Sequence, residues 1–285
     1  MHQNCIRCLH LKADKMLIKH QISDGMARDI MERFTLFIDE RKHKGLLAPE
    51  AACELHRMIK KATGTDDLYK TEKEHYNNLL IGFESYIRDV IQHSDDPFQT
   101  ALRYALAGNI IDFGPPRPFD VTKTLSAAVD RIPAIDHTNQ LKEALKKAST
   151  VLYLGDNSGE IVLDKLFIET INHPNLYFAT RGGKVINDIT LEDAEMVGIT
   201  KVAKVISNGY DAPSTLLDYC SPEFRDLFNR ADVIISKGQG NLEGLIHNRN
   251  KDIFFLLMVK CSVIGDMIGV EEKNSVVYYN QKHSR

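Results

Sequence analysis

The spacing of apolar residues changes near residue 148, and the chain reads differently on either side of that point. Before it, apolar positions recur at helical spacing over 5–20, 23–44, 49–63, 68–93, 97–109, 122–132 and 137–147, with few strand-like runs between them. Ser23, and Thr71 with Glu74, resemble helix N-terminal caps, while Gly45 and Gly64 stand where helices stop. Residues 112–119, Asp-Phe-Gly-Pro-Pro-Arg-Pro-Phe, cannot stay helical because prolines remove donors and fix φ, so an irregular loop is expected there. After 148, short apolar runs at 151–154, 176–179, 202–206, 231–235, 253–259 and 276–279 alternate with helical patterns, as they do in a parallel α/β sheet. The pattern predicts a helical segment over 1–148 followed by an α/β segment over 149–285.

The run Val151-Leu-Tyr-Leu154 stops on Gly155, and the turn Asp156-Asn157-Ser158-Gly159 feeds a helix that opens on Glu160. Ligands of open α/β sheets bind outside the carboxyl ends of the strands, so Asp156 and Asn157 are placed in the expected crevice. A plain helix cap is the other reading of this turn. Other runs also end in polar, glycine-containing turns: Arg181-Gly-Gly183, Asn208-Gly209 and Lys237-Gly-Gln-Gly-Asn241. The rim so assembled holds Asp156, Asn157, Glu160, Asp188, Asn208, Asp211, Lys237 and Asn241. Carboxylates, amides and a lysine suit a divalent cation with an anionic substrate, and Mg²⁺ or Mn²⁺ favours such oxygen donors. The Lys237 loop can offer backbone N–H groups and a point charge to a phosphate, although it matches neither the P-loop nor the dinucleotide fingerprint. Within Ala107 to Gly114, Asn109 and Asp112 are polar positions in an apolar stretch; taken alone, they read as a buried cap.

Composition narrows the classes. With 285 residues, 43% hydrophobic, 26% charged and a net charge of −3, the chain has ordinary globular values and no overall basic field for nucleic acid. No apolar run reaches the span of a bilayer and the first residues lack signal-peptide features, so a cytosolic protein without a membrane partner is expected. Five cysteines, an odd number, fit free thiols in a reducing compartment. Cys5-x-x-Cys8, with Cys261 and either His10 or His20, reads as buried free thiols, with a structural metal or redox cluster as the alternative.

Six segments together resemble the metal-dependent damage-control phosphatase family: Gly108 to Gly114, Gly155 to Glu160, Ile186 to Thr190, Ser207 to Tyr210, Ala231 to Asn241 and Ile253 to Cys261. With Cys5-Ile-Arg-Cys8 the resemblance spans essentially the whole chain and is nearest the short, stand-alone prokaryotic branch. It implies an α/β fold in which a helical N-terminal subdomain packs on a three-layer α/β domain with a mostly parallel, Rossmann-like sheet. It further implies hydrolysis of phosphate esters of small metabolites, sugar phosphates or damaged phosphometabolites, by metal-activated water, with Mn²⁺, Co²⁺, Ni²⁺ or Mg²⁺ as cofactor. Carried over by position, the metal ligands fall on Asp156, Asn157 and Asp188, and the phosphate-side lysine on Lys237. Asp156, Asn157 and Lys237 form the implied catalytic set. Substrate binding is assigned to Glu160, Asn109, Asp112, Asn208, Lys237, Gly238 and Asn241, with Asn109 and Asp112 expected in a cleft closed by the helical half. The alternative for Lys237 is a structural ion pair with Glu160 or another rim carboxylate. Two other functions remain open at this point: a carboxyl methyltransferase, whose full glycine pattern the sequence lacks, and a non-catalytic phosphometabolite-binding protein.

Overall fold

In the computed structural model, which describes residues 1–108, 125, 127 and 130–282, seven strands form one sheet in the order β1-β7-β6-β5-β2-β3-β4. These are β1 (Ile135–Asp136), β2 (Val151–Leu154), β3 (Leu176–Thr180), β4 (Lys204–Ser207), β5 (Val233–Lys237), β6 (Asp252–Met258) and β7 (Ser275–Asn280). Strands β2 to β6 run parallel, β7 is antiparallel to β6, and β1 follows β7 at the edge. From β2 the chain builds outward through β3 and β4, then returns to place β5 on the other side of β2. The switch point therefore lies between the carboxyl ends of β2 and β5, where a crevice opens in doubly wound sheets. Register Leu154↔Ser236 brings those two strands to an end level with each other, so Asp156 and Gly238 emerge side by side.

Both faces of the sheet are covered, which explains why β2, and β5 as far as Ile235, are continuous apolar runs rather than alternating ones. On one face Val151 and Tyr153 meet α4 (Lys70–Gln92), α5 (Pro97–Gly108) and α7 (Glu160–Ile171) through Leu80, Ala101, Ala105, Leu163 and Phe167. The other face packs Leu152, Leu154, Ile234 and Phe255 against α9 (Pro222–Arg230) and α10 (Gly238–Leu245) through Phe224, Phe228 and Leu242. Each Val, Leu, Ile or Phe side chain so buried contributes roughly 1.5–3 kcal/mol. The remaining helices of the α/β part are α6 (Thr138–Lys147), α8 (Leu191–Val197) and α11 (Ser262–Ile268). Among the described residues no helix is long and apolar enough to cross a membrane.

Helices α1 (Gln3–Lys19), α2 (Asp24–Arg41) and α3 (Ala48–Thr63) hold a core of their own, built on Leu9, Phe34, Ile38, Leu55 and Ile59. The cores thus divide between α3 and α4, because α4 and α5 share their core with the sheet. Residues 135–147, expected with the helical half, form β1 and α6 and pair with or flank β7. Gly64 ends α3 with φ 67°, as expected of a glycine at a helix stop. Thr71 lies inside α4 instead of capping it, and the backbone N–H of Tyr69 donates to Asp67 Oδ1 at 3.0 Å.

Candidate functional site

The turn after β2 is fixed from three sides. A Cβ at Gly155 would meet Ile189 Cδ1 at 2.3 Å and Phe178 Cζ at 2.7 Å, so only glycine lets the backbone pass. The loop before α8 is then laced to the turn: Ser158 N donates to Asn187 O at 2.9 Å, Ile189 N donates to Asp156 O at 3.0 Å, and Asn157 and Asp188 form an antiparallel bridge. Asp188 is brought beside Asp156 and Asn157 in this way, although 32 residues separate the first pair in sequence (188 less 156). From the helical side, Asn77 on α4 accepts the Gly159 N–H at 2.6 Å on Oδ1 and donates to Asp193 Oδ1 at 3.0 Å. Asp193 also caps α8 through Thr190 and pairs with Lys73 at 2.9 Å. The turn that carries the candidate ligands is therefore held by a buried polar network that includes α4.

Arg181, at the end of β3, stands between the two carboxylates. Its Nε donates to Asp188 Oδ2 at 2.6 Å, its Nη2 to Asp156 Oδ1 at 3.3 Å and its Nη1 to Asn241 Oδ1 at 2.9 Å. Asn157 Nδ2 donates to Asp156 Oδ2 at 2.8 Å and to Glu160 Oε2 at 3.0 Å. Asn157 Oδ1 and Asp188 Oδ1 accept no hydrogen bond from the described residues. Among those residues no three His, Cys, Asp or Glu side chains converge as a metal cage; the donors here are two carboxylates and an amide. A cavity of about 810 Å³, lined by Arg41, Lys44, Glu50, Tyr219, His247 and Arg249 among others, lies apart from these residues.

Burial is the main force on the acids. It raises the Asp156 carboxyl to about 8, with Asp188 and Glu160 adding repulsion and Arg181 and Lys260 opposing it. Burial likewise raises Asp188, against the pull of Arg181, and raises Asp164 to about 7, against the pull of Lys237. Carboxyls that hold protons more tightly folded than unfolded stabilise the fold at low pH and lose that contribution as pH rises from the ordinary 3.8 through the folded values. The protein should therefore melt at falling temperature between about pH 5 and 8, and Asp156→Asn with Asp164→Asn should flatten that slope. A slope unchanged in the double variant, followed by thermal unfolding in EDTA, would count against these two groups.

Lys237 is not where the sequence placed it. The side chain has no exposed surface. Its three donors go to Ala105 O on α5 at 2.7 Å, Asp164 Oδ1 at 2.5 Å and Glu160 Oε1 at 2.6 Å. The ammonium has no further proton to offer a substrate, and the ion-pair alternative describes the observed contacts. Glu160, expected on the substrate side, is fully buried between Lys237 and Asn157 and packs under Gly108. Asn241, also expected there, is fully buried: Oδ1 accepts from Arg181 and from Thr215 Oγ1, while Nδ2 donates to Gly155 O and Lys237 O. It ties the ends of β2, β3 and β5 together. Asn208 fixes its own turn, with Oδ1 accepting from Gly182 N and Tyr210 N at 2.9 Å, and its buried Nδ2 has no acceptor among the described residues. Gly238 does adjoin the site: its φ is +77° and a Cβ there would lie 1.8 Å from Asp156 Oδ2. Asp211 faces the helical half, paired with Arg57. Asn109 and Asp112 lie outside the described residues.

Sequence reasoning gave no role to Arg181, Asp164, Tyr153 or Asn77. A signal for Asp164 was present, since Glu160 and Asp164 are four apart on a helix otherwise apolar nearly all round, which puts both acids on one buried face. Tyr153 Oη donates to Asp164 Oδ1 at 2.7 Å. The thiols at Cys5 and Cys261 are half-buried and that at Cys8 is exposed, in contrast to the buried state expected of them.

The chain is similar to known proteins over most of its length. The family model described as the damage-control phosphatase ARMT1-like domain matches residues 1–276. An uncharacterized protein of Methanocaldococcus jannaschii is 33% identical over 234 residues, covering 78% of this chain and 77% of its own. A damage-control phosphatase of Archaeoglobus fulgidus is 32% identical over 226 residues, covering 77% of this chain and 78% of its own. A damage-control phosphatase of Pyrococcus horikoshii is 37% identical over 188 residues, 65% of this chain and 66% of its own. The crystal structure of a DUF89 family protein from that organism matches with a TM-score of 0.88 and 29% identity over 99% of both chains. The chain thus belongs to the damage-control phosphatase family with an ARMT1-like domain.

Proposed function

We propose that the protein is a divalent-cation-dependent phosphatase that hydrolyses phosphate monoesters of small metabolites. The observation that carries this reading is the charge at the β2–β5 switch point. Among the described residues, four carboxylates, Asp156, Glu160, Asp164 and Asp188, are buried there with Arg181 and Lys237, and such an acidic cluster with the Asn157 amide beside it suits a divalent ion. Asp156, Asn157 and Asp188 would hold it, since hard oxygen donors fit Mn²⁺, Co²⁺, Ni²⁺ or Mg²⁺. Asn157 supports this fit: Asp156 and Glu160 anchor its amide nitrogen, which leaves its carbonyl oxygen for a ligand. A divalent ion so held supplies Lewis-acid activation of the phosphoryl group and of water.

The chain's own residues do the rest. Helix α10 begins at Gly238 beside Asp156, so its first N–H groups and its dipole favour an anion there. Lys260, exposed on the turn after β6, exerts its field on Asp156 and stands as the phosphate-side cation in place of Lys237. Gln239 accepts its backbone N–H at 3.0 Å and so fixes that turn. The relatives named as damage-control phosphatases support the reaction, and five free cysteines support a reducing, cytosolic compartment.

Metal-stripped protein should release inorganic phosphate from a panel of sugar phosphates and other metabolite monoesters only after Mn²⁺, Co²⁺, Ni²⁺ or Mg²⁺ is restored, and EDTA should stop it. Lys260→Met should raise KM roughly tenfold, as the loss of one charge-assisted contact requires. Absence of phosphate release from every monoester with every cation would sink the proposal.

A further inference from the structure

We infer that Arg181 is a positioning residue of the cation site, setting the separation and orientation of Asp156 and Asp188; this rests on the reading that those carboxylates bind a divalent ion. Arg181 is 3% exposed, and its side-chain partners among the described residues belong to the site or its frame. Its planar fork takes one oxygen from each carboxylate, Oδ2 of Asp188 and Oδ1 of Asp156. The guanidinium is rigid, so these two contacts fix how the carboxylates face one another. Its third contact, Asn241 Oδ1, anchors the fork to the sheet, because Asn241 Nδ2 bonds Gly155 O and Lys237 O at the ends of β2 and β5. The backbone of Arg181 completes the frame by donating to Ile189 O at 3.0 Å, next to Asp188. One residue is thereby linked to each segment that supplies a ligand.

The placement is costly in electrostatic terms, since a fixed positive charge beside a cation site repels the ion. A purely electrostatic view and a positioning view therefore predict opposite signs. If Arg181 only balances charge, Arg181→Met should tighten cation binding and Arg181→Lys should leave it unchanged. If it positions the ligands, both variants should weaken binding, because neither methionine nor a point-charge ammonium reproduces the fork.

Calorimetric titration of Mn²⁺ into the metal-stripped full chain measures this directly. We expect both variants to bind Mn²⁺ roughly 10- to 100-fold more weakly than the wild type, with circular dichroism showing the fold retained and with kcat falling more than substrate KM rises. Unchanged or tighter binding in Arg181→Met, or wild-type affinity in Arg181→Lys, overturns the inference. Should the methionine variant fail to fold, the lysine variant, which keeps the charge, decides alone. Wild-type protein that binds no Mn²⁺ would instead overthrow the underlying reading, and the inference with it.

Discussion

Lys237→Met should destabilise the protein by about 3–5 kcal/mol, the usual result of removing one partner from a buried ion pair. The variant keeps most of the stem but strands Glu160 and Asp164 in full burial without their cation. It also leaves Ala105 O on α5 without a donor, loosening α5 from the sheet. Buried carboxylates without a counter-charge take up protons, so the deficit should be largest above about pH 7 and shrink toward pH 5. Urea unfolding of wild type and variant at both pH values reads the effect. A variant as stable as the wild type but about a hundredfold slower in turnover would restore the lysine to the substrate.

On the proposed reading of the site, Gly238→Ala should abolish cation binding as completely as Asp156→Ala. Its φ of +77° strains any side chain, and a methyl group would sit 1.8 Å from Asp156 Oδ2, well inside contact distance. Neither group can yield cheaply. Asp156 is held by Arg181, by Asn157 and through its carbonyl by Ile189, and Gly238 follows the buried Lys237 directly. The carboxylate must therefore rotate out of the site. Turnover should fall at least about a hundredfold, as when one preorganised electrostatic group is lost, and bound metal measured after desalting should fall to the level of Asp156→Ala. Retention of wild-type metal content in Gly238→Ala would show that this close approach has no part in holding the ligand.

What the sequence disclosed and what it hid have separate physical causes. Strands β2 to β7 were legible because a sheet covered on both faces favours apolar runs, and the runs of β2, β3, β4 and β5 end in glycine turns visible in the sequence. Asp156, Asn157 and Asp188 were legible as a group only through the family resemblance, since the bridge that joins Asn157 to Asp188 is tertiary. Periodicity misled at Lys237. A lysine before a glycine-rich loop looks exposed, and its enclosure depends on Ala105, 132 residues away, and on two acids of α7. Arg181 was hidden for a similar reason, because its partners come from three other segments. Strand β1 was hidden because two residues carry no period at all.

The margins of the sheet have a consequence for behaviour in concentrated solution. An outermost strand presents unpaired amide and carbonyl groups, and a long flat one recruits strands from other molecules. Here one margin is β1, only two residues long, and the other is β4, four residues that open on the exposed Lys204, whose ammonium reaches Asn175 Oδ1 at 2.9 Å. A short margin and a charged one offer little template for strand addition. The protein should accordingly resist fibrillar aggregation while folded, and Lys204→Val should shorten the lag of thioflavin-positive assembly on prolonged warming below the melting point.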